Sequence, residues 1–209
     1  MTVTQIAPSP DRGGRHRVEF SDGTVLKLLP SVIGDAGLYT GMTLDEQAFD
    51  ALVQAGRTAD TKQRAIHIIS ATTVSSRDLD ERLRQKGATA EDAAQTVQWL
   101  AELGLLDDAV AARQIVERGV RRGYGTNRIR QMLYEKKIPR SLWDEALAAI
   151  PPMDDAVDAF LRERLHGDPD EKLRKRTVDA LLRRGFSWSE IKDGLRRYGE
   201  APSEPWEDV

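Results

Sequence analysis

Arg128-Ile129-Arg130-Gln131-Met132-Leu133-Tyr134-Glu135-Lys136-Lys137-Ile138 leads into a second apolar segment anchored by Leu147. The same pattern stands upstream, where Asp78-Leu79-Asp80-Glu81-Arg82-Leu83-Arg84-Gln85-Lys86-Gly87 leads to Val97. It stands again downstream, where Thr177-Val178-Asp179-Ala180-Leu181-Leu182-Arg183-Arg184-Gly185-Phe186 leads to Leu195. Leu83, Leu133 and Leu181 are 50 and then 48 residues apart, and Val97, Leu147 and Leu195 keep the same spacings. A unit of this size used three times builds an extended surface rather than a pocket. The pattern therefore favours binding a long partner over catalysis.

Punctuation places about three helices in each unit. Ser75-x-x-Asp78 can cap one helix and Gly87 can end it; Thr89-x-x-Asp92 starts the next, and Gly104 follows it. Asp107-Asp108 puts negative charge at the start of the second unit, and Asp154-Asp155 before the same Ala-Val pair does so 47 residues later. Gly123-Tyr124-Gly125 ends one helix, Thr126 can cap the following one, and Ile138-Pro139 breaks the chain after it. Ser187-x-x-Glu190 reads as a capping box, with Phe186 and Ile191 as its hydrophobic staple. Ahead of the units, Arg15–Phe20 and Val25–Leu28 flank Asp22-Gly23, a hairpin signal in which both central positions take positive φ. A helix is expected from Leu44 to Gln54, stopped by Gly56, and a separate one over Lys62–Ala71.

The expected architecture is all-α: tandem three-helix repeats in an extended, curved array, with a small N-terminal β-hairpin. The expected divisions are a disordered segment 1–14, a hairpin-plus-helix leader 15–58, repeats over 59–106, 107–152 and 153–199, and an acidic tail 200–209.

Composition excludes several classes. No run of 18 apolar residues exists, and the N-terminus has no apolar signal core, so neither a membrane partner nor export is expected. Cysteine is absent, which rules out disulfides and thiolate metal sites and fits a cytoplasmic protein. His16, His67 and His166 are scattered without ligand spacing. No nucleophile elbow and no phosphate-binding Gly-rich loop occurs, so the expectation is a non-enzyme with no cofactor and no metal.

Charge is the stronger signal. The net charge of −3 conceals a segment, residues 113–140, with nine basic and two acidic side chains, and another, 162–197, with eleven and seven. Residues 1–60 carry five basic and eight acidic groups, and 200–209 carry four acidic groups and no basic ones. Charge runs usually solvate helix faces, but that role would intersperse acids, and the second unit nearly lacks them. The candidate contacts to phosphate or to an acidic protein surface are Arg113, Arg118, Arg121, Arg122, Arg128, Arg130, Lys136 and Lys137 in the second unit. In the third they are Lys172, Arg174, Lys175, Arg176, Arg183 and Arg184. Tyr124 either stacks on a base or covers a helix junction. Trp99, Trp143 and Trp188 recur in or at the start of each unit's last helix, as core residues would.

In order and spacing these blocks resemble the RecX family of recombinase regulators over residues 15–198. The likeness rests on Ser76-Arg77-Asp78-Leu79 with Leu83 and Lys86-Gly87, then on Leu103-Gly104-Leu105-Leu106-Asp107-Asp108. It continues in Ala112-Arg113, Arg121-Arg122-Gly123-Tyr124-Gly125, Arg128-Ile129 and Leu182-Arg183-Arg184-Gly185-Phe186. Three places depart from the family pattern. Ala111 stands where an aromatic is usual, Ala71-Thr72-Thr73 lacks basic residues, and Lys137 replaces a glycine, so that helix is expected to end without a left-handed residue. The resemblance implies a protein that binds the RecA filament on DNA, inhibits its ATPase, strand exchange and growth, and so moderates recombination and the SOS response; a monomer is expected because no extended heptad seam appears. It also implies weaker electrostatic binding to single- and double-stranded DNA. Two other readings of the residues stay open: a helix-turn-helix-like DNA-binding protein, and a helical scaffold that binds only protein.

Overall fold

Asp22 and Gly23 do make a hairpin, with a different turn from the one expected. In the computed structural model, which describes residues 1–10, 13–166 and 170–199, strands β2 (His16–Phe20) and β3 (Val25–Leu28) pair antiparallel, with His16 opposite Leu28. Only Gly23 of the turn has positive φ, at 85°. Gly23 N–H donates to the Phe20 carbonyl at 2.9 Å, and the Asp22 carboxylate accepts from the Thr24 amide and hydroxyl. This is the three-residue loop with one left-handed glycine. Those two hydrogen bonds hold the Asp22 carboxyl below its ordinary pKa.

The expectation of disorder over 1–14 is corrected. Val3–Pro8 forms a third strand, β1, antiparallel to β2 with Val3 opposite Phe20 and Pro8 opposite His16. Val3 is fully buried beside Val18, Phe20 and Leu28. The gain from burying Val3 and pairing the free edge of β2 outweighs the local turn-forming composition, and Pro8 is tolerated because the strand lies at a sheet edge.

The expected stop at Gly56 is also corrected. After the short helix α1 (Pro30–Asp35), one helix of 26 residues, α2 (Glu46–Ala71), runs through Gly56, so the division at 58/59 falls inside a continuous helix. A Cβ on Gly56 would come 2.7 Å from the Leu28 Cδ2. Glycine is there because β3 packs on the helix, at the usual cost of about 1 kcal/mol for glycine within a helix. Asp45 caps α2 by accepting from the Ala48 amide.

Contacts divide the chain into two compact units. The first comprises Met1–Thr72 and Asp78–Leu106, with α3 (Ser76–Gln85) and α4 (Ala90–Glu102) following α2. Leu79, Leu83 and Leu100 are fully buried in it. The buried Asp92 carboxylate accepts from Gln54, Thr58 and Thr89, which ties α4 to α2.

The second unit comprises Thr73–Arg77 and the described residues from Asp107 onward. It holds α5 (Asp108–Arg121), α6 (Thr126–Glu135), a 3-10 turn at Arg140–Leu142 and α7 (Trp143–Ala148). Then come α8 (Asp154–Arg164), α9 (Glu171–Arg183) and α10 (Trp188–Tyr198). One core gathers Ile115, Val116, Ile129, Leu133 and Ile138; the next gathers Val157, Leu161, Leu181, Phe186, Ile191 and Leu195. Ser187 and Glu190 form both bonds of the capping box. The expected tail 200–209 lies outside the described residues.

Candidate functional site

The loop after α5, entered through Arg121-Arg122, and the loop after α9, entered through Arg183-Arg184, meet. Gly125 N–H donates to the Arg184 carbonyl at 2.9 Å, and Asn127 N–H donates to the Gly185 carbonyl at 3.1 Å. There is no room for side chains at this joint. A Cβ on Gly125 would lie 2.4 Å from the Gly185 carbonyl oxygen, and one on Gly185 would lie 2.2 Å from the Arg128 nitrogen.

The joint also explains how α6 begins. Its N-cap is Gly125, which offers no side-chain bond, so the expected cap by Thr126 is corrected: Thr126 is the first helical residue. The free amides at a helix start need acceptors. Here the Arg184 and Gly185 carbonyls that follow α9 supply them.

The fourteen candidate cations fall into distinct environments. Arg121, Arg122, Arg130 and Arg183 are exposed. Arg128 is half-buried and pairs with Glu135 at 3.3 Å. The Arg184 guanidinium lies over the Phe160 ring, 4.7 Å from its centroid, and so is partly committed to packing. Arg118 turns inward and donates to the Thr73 hydroxyl at 3.0 Å, so its role is structural. Arg113 stands 3.9 Å from Glu145, with both largely in solvent. Lys172, Lys175, Arg176 and Arg183 share one exposed face of α9 at roughly 100° per residue, interrupted by Asp179. Arg174 sits half-buried on the core side of that helix. Lys136 is the C-cap of α6, and the Lys136 and Lys137 carbonyls both accept from the Ser75 hydroxyl.

Lys137 does not behave as expected. It takes the left-handed conformation itself, at φ 54°, and among the described residues it is the one non-glycine with positive φ. Helix α6 therefore ends as the glycine-terminated helices do.

Asp107 caps α5 by accepting from the Ala109 and Val110 amides, and these bonds lower its pKa, that to Val110 most. Asp108 reaches instead to the Ser76 amide, at 2.7 Å. Capping thus accounts for this acidic pair. Among the described residues no group of three His, Asp or Glu is placed to hold a metal ion, and no helix is long and apolar enough to cross a membrane.

Of the aromatics, Tyr124 packs on the core of α5 and α6 and so covers the junction. Trp143 donates from its indole nitrogen to the Ile138 carbonyl at 3.0 Å, and Trp188 packs on the last core. Tyr134 is exposed, 66% accessible and one turn from Arg130 on α6. Its spacing of four from Arg130, on a face turned about 100° from Ile129 and Leu133, was the signal available in the sequence.

Comparison with known proteins places this arrangement among its relatives. The family model described as "RecX, second three-helix domain" matches residues 107–147. The regulatory protein RecX of Levilactobacillus brevis is 29% identical over 192 residues, covering 89% of this chain and 72% of that protein. That of Shigella boydii is 29% identical over 152 residues, covering 66% and 90%. A crystal structure of regulatory protein RecX superposes with a TM-score of 0.63 at 23% identity, over 92% of this chain and 98% of that one. RecX from Lactobacillus salivarius gives 0.61 at 18% identity, over 69% and 98%. Both solved structures share this fold.

Proposed function

This chain belongs to the RecX family, and from that premise we propose that it negatively regulates a RecA-type recombinase by binding the recombinase filament on DNA. In this reading it inhibits the filament's ATPase, strand exchange and growth, and so restrains recombination and the SOS response. The observation that carries the reading is the joint between the basic loops of the second and third repeats. It sets the exposed Arg122 and Arg183, with Arg130 on α6, on either side of a rigid backbone contact. Arginines presented in this way meet phosphate or carboxylate oxygens through their planar, bidentate guanidinium groups. Contacts made by several repeats of one chain add through effective concentration.

Of the candidate cations of the second repeat, Arg121, Arg122 and Arg130 keep their charge in solvent, and Arg128 shares its charge with Glu135. The test reverses Arg122, Arg130 and Arg183 to Glu together, leaving Arg128 and the joint intact. Inhibition of recombinase ATPase should then need at least about tenfold more protein, the equivalent of roughly 1.4 kcal/mol of lost binding. Unchanged inhibition, with the helical signal preserved, would remove this edge from the interface.

A further inference from the structure

The solvent face of α6 carries Asn127, Arg130, Gln131 and Tyr134, all exposed. At roughly 100° per residue the four lie within an arc of about 100°, and the buried Ile129 and Leu133 fall outside it. No carboxylate of α6 falls in that arc. Glu135, the acid of this helix, stands about 40° beyond its edge and pairs with Arg128 at 3.3 Å.

Exposure alone would mean little, since single aromatics on a surface are ordinary. Tyr39 is exposed too, but it lies in a stretch, residues 28–56, that has no basic residue. Tyr134 has Arg130 one turn before it, about 6 Å along the helix axis. One nucleotide can reach both, with its base on the phenol ring and its phosphate on the guanidinium. Gln131 and Asn127 add amide donors and acceptors beside them, the groups that suit base edges.

We propose that this face of α6 binds single-stranded DNA by stacking, with a base on Tyr134 and its phosphate on Arg130. The fold favours a single strand over a duplex. A helix that reads a duplex enters the major groove with its N-terminal residues leading. That end of α6 is closed, because the loop after α9 accepts from the Gly125 and Asn127 amides and leaves no space for a side chain at Gly125. The middle and C-terminal turns stay open, and a ring placed there takes a base that is already out of its pair. The inference rests on the function proposed above in taking Arg130 as part of the working face, and it names the ligand that Arg130 meets.

The test is binding of the full chain to a dye-labelled oligothymidylate and to an abasic strand of equal length, which keeps the phosphates and lacks the bases. The unmodified chain should bind the oligothymidylate about fivefold or more tightly than the abasic strand. Tyr134→Leu should bind the two strands alike with an unchanged salt slope, and Tyr134→Phe should keep the preference. Arg130→Gln should weaken binding to both strands and lower the log–log salt slope by about 0.7. Equal binding of the two strands by the unmodified chain overturns the proposal, as does no binding to either at low salt. So does a preference that survives in Tyr134→Leu, or a loss in that variant that is as large on the duplex. Inhibition of recombinase ATPase, measured on the same preparation, separates the two readings. Inhibition without base preference strikes this inference alone. Base preference without inhibition strikes the function proposed above and leaves this one standing.

Discussion

Position 137 shows what one residue contributes. Ala88, Ile138 and Phe186 each donate their amide to the carbonyl of the repeating leucine, Leu83, Leu133 or Leu181, at 3.1, 3.0 and 3.2 Å. The residue before each amide is left-handed: Gly87 at φ 92°, Lys137 at 54° and Gly185 at 88°. This is one helix-ending motif used three times, and its apolar contact buries Ile138 and Phe186. Spacing in the sequence aligned the three positions. What it did not show was that the hydrogen bond and the burial of Ile138 outweigh the roughly 1–2 kcal/mol that a side chain suffers there. Lys137→Gly should therefore stabilise the protein by about 0.5–1 kcal/mol, seen as a higher urea midpoint at unchanged slope. A lower midpoint would contradict the account. The leucines themselves are fully buried, so Leu133→Ala and Leu181→Ala should each cost about 2–5 kcal/mol in the same measurement.

Among elements, the join between α6 and α9 is where sequence reasoning stopped short. Caps drawn from a neighbouring side chain, such as Ser187 with Glu190 or Asp45 with Ala48, were legible or nearly so because the partners lie within four residues. The acceptors for the Gly125 and Asn127 amides lie about 60 residues away on backbone carbonyls, which carry no residue-specific signal. Strand β1 escaped notice for the same reason, since its partner decides its conformation more than its composition does. Glycines separate the two kinds of site experimentally. Gly87 has open space around it, so Gly87→Ala should cost about 1 kcal/mol from its backbone angle alone. Gly185→Ala meets the Arg128 backbone as well and should cost at least about 3 kcal/mol. Gly125→Ala, on the other side of the same contact, should be strongly non-additive with it in a double-mutant cycle. Equal costs at Gly87 and Gly185 would show that the joint can relax.

For the whole molecule, the sum of charges misleads and its distribution informs. The net −3 coexists with an excess of seven positive charges over residues 113–140. The candidate site was legible in the sequence as a set of cations, but not as an arrangement. The structure turns Arg118 onto Thr73, stacks Arg184 on Phe160 and leaves Arg122, Arg130 and Arg183 in solvent. If those three meet phosphates, binding to single-stranded DNA should fall with a log–log salt slope of about −2, from roughly −0.7 per contact. An affinity independent of salt would restrict the contacts to protein. The claim that most needs testing is regulation of a recombinase filament. The measurement is DNA-dependent ATP hydrolysis by a cognate RecA on excess single-stranded DNA, titrated with this protein. The account predicts inhibition well below one protein per recombinase subunit. Full ATPase activity at a ratio above one would contradict it.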